Sequence, residues 1–85
     1  DVREEYERAI ADLPEHGQLR IPTAFILSRL GEIDAARDVV VYCRSGARSA
    51  WAVRLMRERG VEGAVNLRGG ILAWRQDVDP TLTAY

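Results

Sequence analysis

Between Val39 and Leu67 the chain reads as strand, helix, strand, and so short a connection leaves one arrangement: two parallel neighbours joined by a right-handed crossover. Val39-Val40-Val41-Tyr42 is an unbroken apolar run, β-branched and then aromatic, too short for a helix. It predicts a strand over Asp38–Tyr42, and its lack of alternation predicts cover on both faces. Ser49 to Arg59 carries Ala52, Val53, Leu55 and Met56 at helical spacing on one side. Gly60 stands where a left-handed C-cap is wanted, with Arg57 and Arg59 at the negative end of the helix dipole. Ala64 to Leu67 supplies the second strand. The fold class is α/β: a small parallel sheet flanked by helices.

The flanking segments fill in around that unit. Glu4 to Leu13 has Tyr6, Ile10 and Leu13 at helical spacing and acidic residues in its first turn, which predicts a helix with those three in the core, ended by Pro14 and Gly17. Ile21-Pro22 is extended, and Thr23 caps a helix through Leu30 that Gly31 stops. Gly69-Gly70 is a turn, Ile71 to Gln76 a last helix carrying Trp74, and Asp79-Pro80 starts an irregular tail. His16 reads as a surface residue, and Trp51 as partly exposed.

Bulk properties exclude several classes. A net charge of −1 gives no basic field for nucleic acid. One cysteine and one histidine cannot form an internal disulfide or a four-ligand structural zinc site. No apolar run nears the roughly 18–20 residues that span a bilayer, so no membrane partner is expected and a reducing cytoplasm is the default. The composition is that of one domain over residues 1–85, and the opening Asp1-Val2-Arg3 reads as the end of a strand whose beginning lies upstream.

Ligands of open α/β sheets sit at the carboxyl ends of the strands. Three such ends are predicted to converge here: Asp1-Val2-Arg3, Cys43, and Arg68-Gly69-Gly70. Cys43 closes the apolar run and opens the loop Cys43-Arg44-Ser45-Gly46-Ala47-Arg48, ahead of Ser49-Ala50. Successive amides turned by Gly46, joined by the first amides of the next helix, make an anion cradle. Arg44 and Arg48 add charge to it. A thiol placed there is shifted toward thiolate, the reactive form. Two chemistries use such a cradle: phosphoryl transfer, for three oxygens, and sulfur transfer, for the outer sulfur of a persulfide. Arg48 either closes the loop through backbone carbonyls or touches the sulfur; Asp1 and Arg3 form an ion pair beneath it; Gly69 and Gly70 turn beside it.

Three motifs in order resemble the rhodanese family and cover nearly the whole chain: Asp1-Val2-Arg3-Glu4, Val40 to Ala50 around Cys43, and Asn66-Leu67-Arg68-Gly69-Gly70-Ile71-Leu72-Ala73-Trp74. The four residues between Cys43 and Arg48 are similar to the rhodanese loop, whereas cysteine phosphatases carry five for a larger oxyanion. Asp12-Leu13-Pro14-Glu15-His16 departs from the family pattern, with Pro22 arriving late. The tail from Trp74 to Tyr85 resembles rhodanese domains fused behind an E1-like adenylyltransferase.

The resemblance implies a rhodanese-like fold and a sulfurtransferase. Cys43 is its nucleophile, taking sulfane sulfur from thiosulfate or a cysteine desulfurase. Arg44, Ser45, Gly46, Ala47 and Arg48 cradle the persulfide, and Asp1, Arg3, Ser49, Gly69 and Gly70 support them. It also implies a ubiquitin-like sulfur-carrier protein as acceptor, in molybdopterin or thiamine biosynthesis. No cofactor is implied beyond the persulfide itself, ATP being used by an adenylyltransferase domain upstream. The alternatives are a stand-alone thiosulfate sulfurtransferase and a non-catalytic docking domain.

Overall fold

The computed structural model describes residues 1–85, with helix α1 at Glu5–Ile10, strand β1 at Val39–Val41, helix α2 at Ala47–Glu58, strand β2 at Ala64–Asn66 and helix α3 at Gly70–Asp77. The strands pair in parallel, with Val39, Val40 and Val41 opposite Ala64, Val65 and Asn66. The expected parallel pair with a helix between its strands is therefore present, as a small sheet with its helices. Asp1–Arg3 and Ile21–Thr23 run alongside as extended chain: the Val2 amide donates to Tyr42 O at 3.0 Å, and Ile21 and Thr23 donate to Asp1 O and Val2 O at 2.9 and 3.1 Å.

One face of the sheet packs on α2. Val41 and Ala64 meet Ala52, Val53 and Met56 there, with Val2, Ile21, Ile26, Cys43 and Val61 completing the core. The opposite face is covered only at its carboxyl end, where Tyr42, Ala11 and Ile71 gather Leu13, Leu67, Leu82 and Tyr85. Val40 and Val65, which pair in the ladder, are 59% and 42% exposed. The expectation of a strand covered on both faces thus fails at Val40, because no element crosses the middle of that face.

Several boundaries move. α1 stops at Ile10 because Ala11 is fully extended (φ −160°, ψ 149°). Its inward residue is Glu7, while Tyr6 is 69% exposed and not core, and Ile10 is only half-buried. Thr23–Leu30 is not an α-helix: 3₁₀ turns at Thr23–Phe25 and Leu30–Glu32 flank a turn, and the Thr23 side chain caps nothing. Its amide is instead committed to Val2 O, which ties this segment to the sheet edge. Gly31 lies inside the second 3₁₀ turn and does not adopt the left-handed conformation expected of a stop, whereas Gly60 does (φ 97°). α2 begins at Ala47, two residues early, because Gly46 is itself left-handed (φ 97°) and turns the chain directly into the helix.

Candidate active site

Cys43 lies two residues beyond β1, fully buried, ahead of the turn that opens α2. Gly46 turns the chain back so that its own amide donates to Cys43 Sγ at 3.1 Å, and the Ser49 amide and Oγ lie at 3.4 and 3.3 Å. Burial alone pushes the thiol up. The Ser49 hydroxyl and the amides of Ser49, Gly46 and Ser45 outweigh burial and bring it below its ordinary value. The Ser49→Ala variant loses one of these donors, so its rate of iodoacetamide alkylation at neutral pH is expected to fall about three- to tenfold.

The other strand ends meet this loop. Ile71 and Leu72, in the first turn of α3, donate their amides to Cys43 O and Arg44 O, both at 3.0 Å. The start of α3 therefore caps loop carbonyls, while the helix amide that joins the cradle, as expected, is that of Ser49 in the first turn of α2. Gly69 and Gly70 are both left-handed, and Gly70 packs directly on those two carbonyls. Asn66, at the end of β2, donates Nδ2 to Gly46 O at 3.2 Å and receives the Ser49 hydroxyl at Oδ1 at 2.5 Å.

Neither arginine of the loop stands free at its rim. Arg48 neither closes the loop on carbonyls nor bonds the sulfur. Its guanidinium grips both oxygens of Glu7, at 2.7 and 2.8 Å, from the first turn of α2 to the inner face of α1. The Arg48 fork holds the Glu7 carboxyl down at about 2 against the opposing effect of burial, and Glu7 in turn raises Arg48. Arg44 donates Nε to Tyr85 O and lies 5.2 Å from the centre of the Tyr85 ring. The Tyr85 hydroxyl donates to Glu7 at 3.1 Å and accepts from Arg3 at 2.9 Å.

Asp1 and Arg3 form their ion pair at 2.9 Å, with the Arg3 side chain fully buried. Arg3 continues to Asp12 at 2.9 Å and to Ala11 O at 2.6 Å. Arg20 spans Asp1 and Asp12, both at 2.7 Å, and the Tyr42 hydroxyl also ends on Asp12 at 2.7 Å. This network ties the first residues and the loop after α1 to the strand beneath Cys43. Ser45 and Ala47 are exposed, and His16 is exposed with Nδ1 on Pro14 O. Glu7, Asp12, Asn66 and Tyr85 are the site residues that sequence reading missed. Only Asn66 carried a signal, as the polar end of an otherwise apolar strand.

The family model described as a rhodanese-like domain matches residues 1–77. A sulfurtransferase of Allochromatium vinosum is 45% identical over 74 residues, which are 87% of this chain and 67% of that protein. The probable adenylyltransferase/sulfurtransferase MoeZ of Mycobacterium tuberculosis is 36% identical over the whole chain, which spans only 22% of its length. Among solved structures, a rhodanese-related protein of Thermoplasma volcanium superposes with a TM-score of 0.81 at 26% identity, covering 91% of this chain and 74% of that one.

Proposed function

This chain belongs to the rhodanese-like domain family, and from that premise we propose that it is a sulfurtransferase that carries sulfane sulfur on Cys43. The observation that carries the proposal is the set of donors converging on Cys43 Sγ, the Gly46 amide and the Ser49 amide and hydroxyl. A fully buried sulfur held in so tight a loop is reached by one protruding atom. That suits a terminal sulfane sulfur better than a phosphorus shielded by its oxygens.

The first half-reaction follows from the thiolate. With thiosulfate as donor, Cys43 attacks the outer sulfur, a new sulfur–sulfur bond forms, the old one breaks, and sulfite leaves with the bonding pair. The persulfide anion then rests among the amides of Ser45, Gly46 and Ser49, with the Arg48 charge nearby. Arg48 acts mainly through position, since its fork is committed to Glu7.

The acceptor we propose is the adenylated C-terminus of a ubiquitin-like sulfur carrier, a reading supported by the likeness to MoeZ. ATP is consumed in making that adenylate, outside this domain. Attack of the persulfide on the acyl carbon expels AMP and leaves an acyl disulfide. A second thiolate attacks the Cys43 sulfur of that disulfide, which releases the thiocarboxylate and leaves Cys43 in a mixed disulfide that a further thiol reduces. Neither thiol lies within these 85 residues, whose single cysteine is Cys43. The second reading is a stand-alone thiosulfate sulfurtransferase, favoured by the Allochromatium relative, of which this chain covers 67%.

Intact-mass spectrometry after incubation with thiosulfate tests the shared first step. One added sulfur atom is expected, removed by dithiothreitol and absent in Cys43→Ser. No adduct from thiosulfate or from a persulfidated cysteine desulfurase, together with turnover of an aryl phosphate, overturns the reading. Discharge by cyanide with no thiocarboxylate formed on an adenylated carrier favours the stand-alone reading. Formation of a thiocarboxylate on an adenylated carrier favours the carrier-linked one.

A further inference from the structure

Asn66 and Ser49 meet behind the sulfur, and neither belongs to the ionic network around the loop. The Asn66 amide is oriented by its own donor. Nδ2 bonds Gly46 O at 3.2 Å, which leaves Oδ1, an acceptor, facing Ser49 Oγ at 2.5 Å. The same Oγ lies 3.3 Å from Cys43 Sγ. A hydroxyl has one proton and two lone pairs. It cannot donate to the amide and to the sulfur at once.

We infer that Asn66 is a positioning residue that sets the direction of the Ser49 hydroxyl, holding its proton on the amide while Cys43 is a thiol and yielding it when the sulfur becomes an anion. In the thiol state the chain of donors runs from the sulfur to Ser49 Oγ and on to Asn66 Oδ1, with every partner satisfied. In the thiolate state the sulfur has no proton to give, and the hydroxyl turns toward it, leaving Oδ1 without that partner. Ionisation of Cys43 therefore competes against one neutral hydrogen bond. Where a small acceptor such as cyanide abstracts the outer sulfur, the same turn accompanies its departure, because that step regenerates the thiolate. Asn66 thus restrains the resting thiol while leaving its donor available in the reaction.

The charged groups around Cys43 are committed elsewhere. Arg48 of α2 is held by Glu7 of α1, and the Tyr85 hydroxyl of the tail rests on that same carboxylate. Arg44 of the loop is held by Tyr85, and Arg3 by Asp1 and Asp12. Arg68, between β2 and α3, is exposed. The Asn66–Ser49 pair is the neutral control beside them.

The competition gives a sign that a structural role does not. If Asn66 only anchored the Gly46 carbonyl, its loss would loosen the amide cradle and move Cys43 ionisation to higher pH. A competing acceptor, once removed, frees the hydroxyl for the thiolate and moves ionisation lower. The pH profile of iodoacetamide alkylation is therefore expected to shift to lower pH in Asn66→Ala, with a rise of about threefold or more at neutral pH. In a Ser49→Ala background the same substitution is expected to produce no downward shift. Asn66→Leu, closer in size to asparagine, gives the same readout if the alanine variant loses its circular dichroism spectrum. An upward or absent shift, or a downward shift that persists without the Ser49 hydroxyl, overturns the inference. It rests on Cys43 as the sulfur-carrying nucleophile, but alkylation reads the thiol directly, so failure of sulfur transfer and failure of this profile are separate results.

Discussion

Gly70→Ala is expected to lower the melting temperature by about 15 °C or more and to dismantle the set of donors around Cys43. Two costs combine. Gly70 is left-handed at φ 57°, a conformation that charges an alanine roughly 1–2 kcal/mol. The added Cβ would also stand 2.3 Å from Cys43 O and 2.6 Å from Arg44 O. Both contacts are backbone, and the same carbonyls receive the Ile71 and Leu72 amides, so relief requires parting α3 from the loop. Together these exceed about 3 kcal/mol, a large share of the stability of a domain this small. Gly60→Ala is the control. Gly60 is left-handed too (φ 97°), but nothing lies within 4 Å of its added Cβ, so it bears the conformational cost alone. Thermal melts of both variants, with iodoacetamide labelling of Cys43, check this. A Gly70→Ala protein that melts with Gly60→Ala would show that the loop yields easily.

The contrast between these two glycines also shows what local sequence carries. Gly60 and the Gly69-Gly70 turn were legible because a left-handed backbone selects glycine wherever it occurs. The parallel pair was legible because β1 is an apolar run and the crossover is too short for another topology. The face of α1 was not. Periodicity put Tyr6 inside, yet Glu7 turns inward, because its partner is Arg48, 41 residues later in the chain. A buried charge matched by a distant countercharge leaves no periodic trace. Tyr85 was invisible for the same reason, since it closes on Arg3 across 82 residues. Val40 shows the reverse error: an unalternating run indicates that a strand tolerates burial on both faces, not that an element exists to provide it. Asn66 stood in a recognised motif, but its meaning is the geometry of one amide between Gly46 and Ser49.

Acid is expected to weaken the fold chiefly through Glu7, and Glu7→Gln to remove that sensitivity. The Glu7 side chain is 4% exposed and is bridged to Arg48 at 2.7 Å. Its carboxyl is held at about 2 in the fold against an ordinary 4.5, foremost by the Arg48 hydrogen bonds, with burial opposing and the Glu4 amide helping. A depressed carboxyl stabilises the fold fully above its unfolded value, and the contribution is lost as pH falls from about 5 toward 2. The Arg48 side chain is 35% exposed, so solvent screens the pair and its contribution is placed at about 1–2 kcal/mol. Glu7→Gln keeps the shape but not the charge, and is expected to lose about that much in urea unfolding at pH 7, with a flatter stability profile between pH 5 and 2. Arg48→Lys should fall between the two, because an ammonium cannot fork onto both carboxylate oxygens. A Glu7→Gln profile parallel to the unsubstituted protein would mean that other carboxylates, Asp12 foremost, govern acid unfolding. Loss at pH 7 with a flattened acid limb would instead fix the join of α1 to the Cys43 loop on this one ion pair.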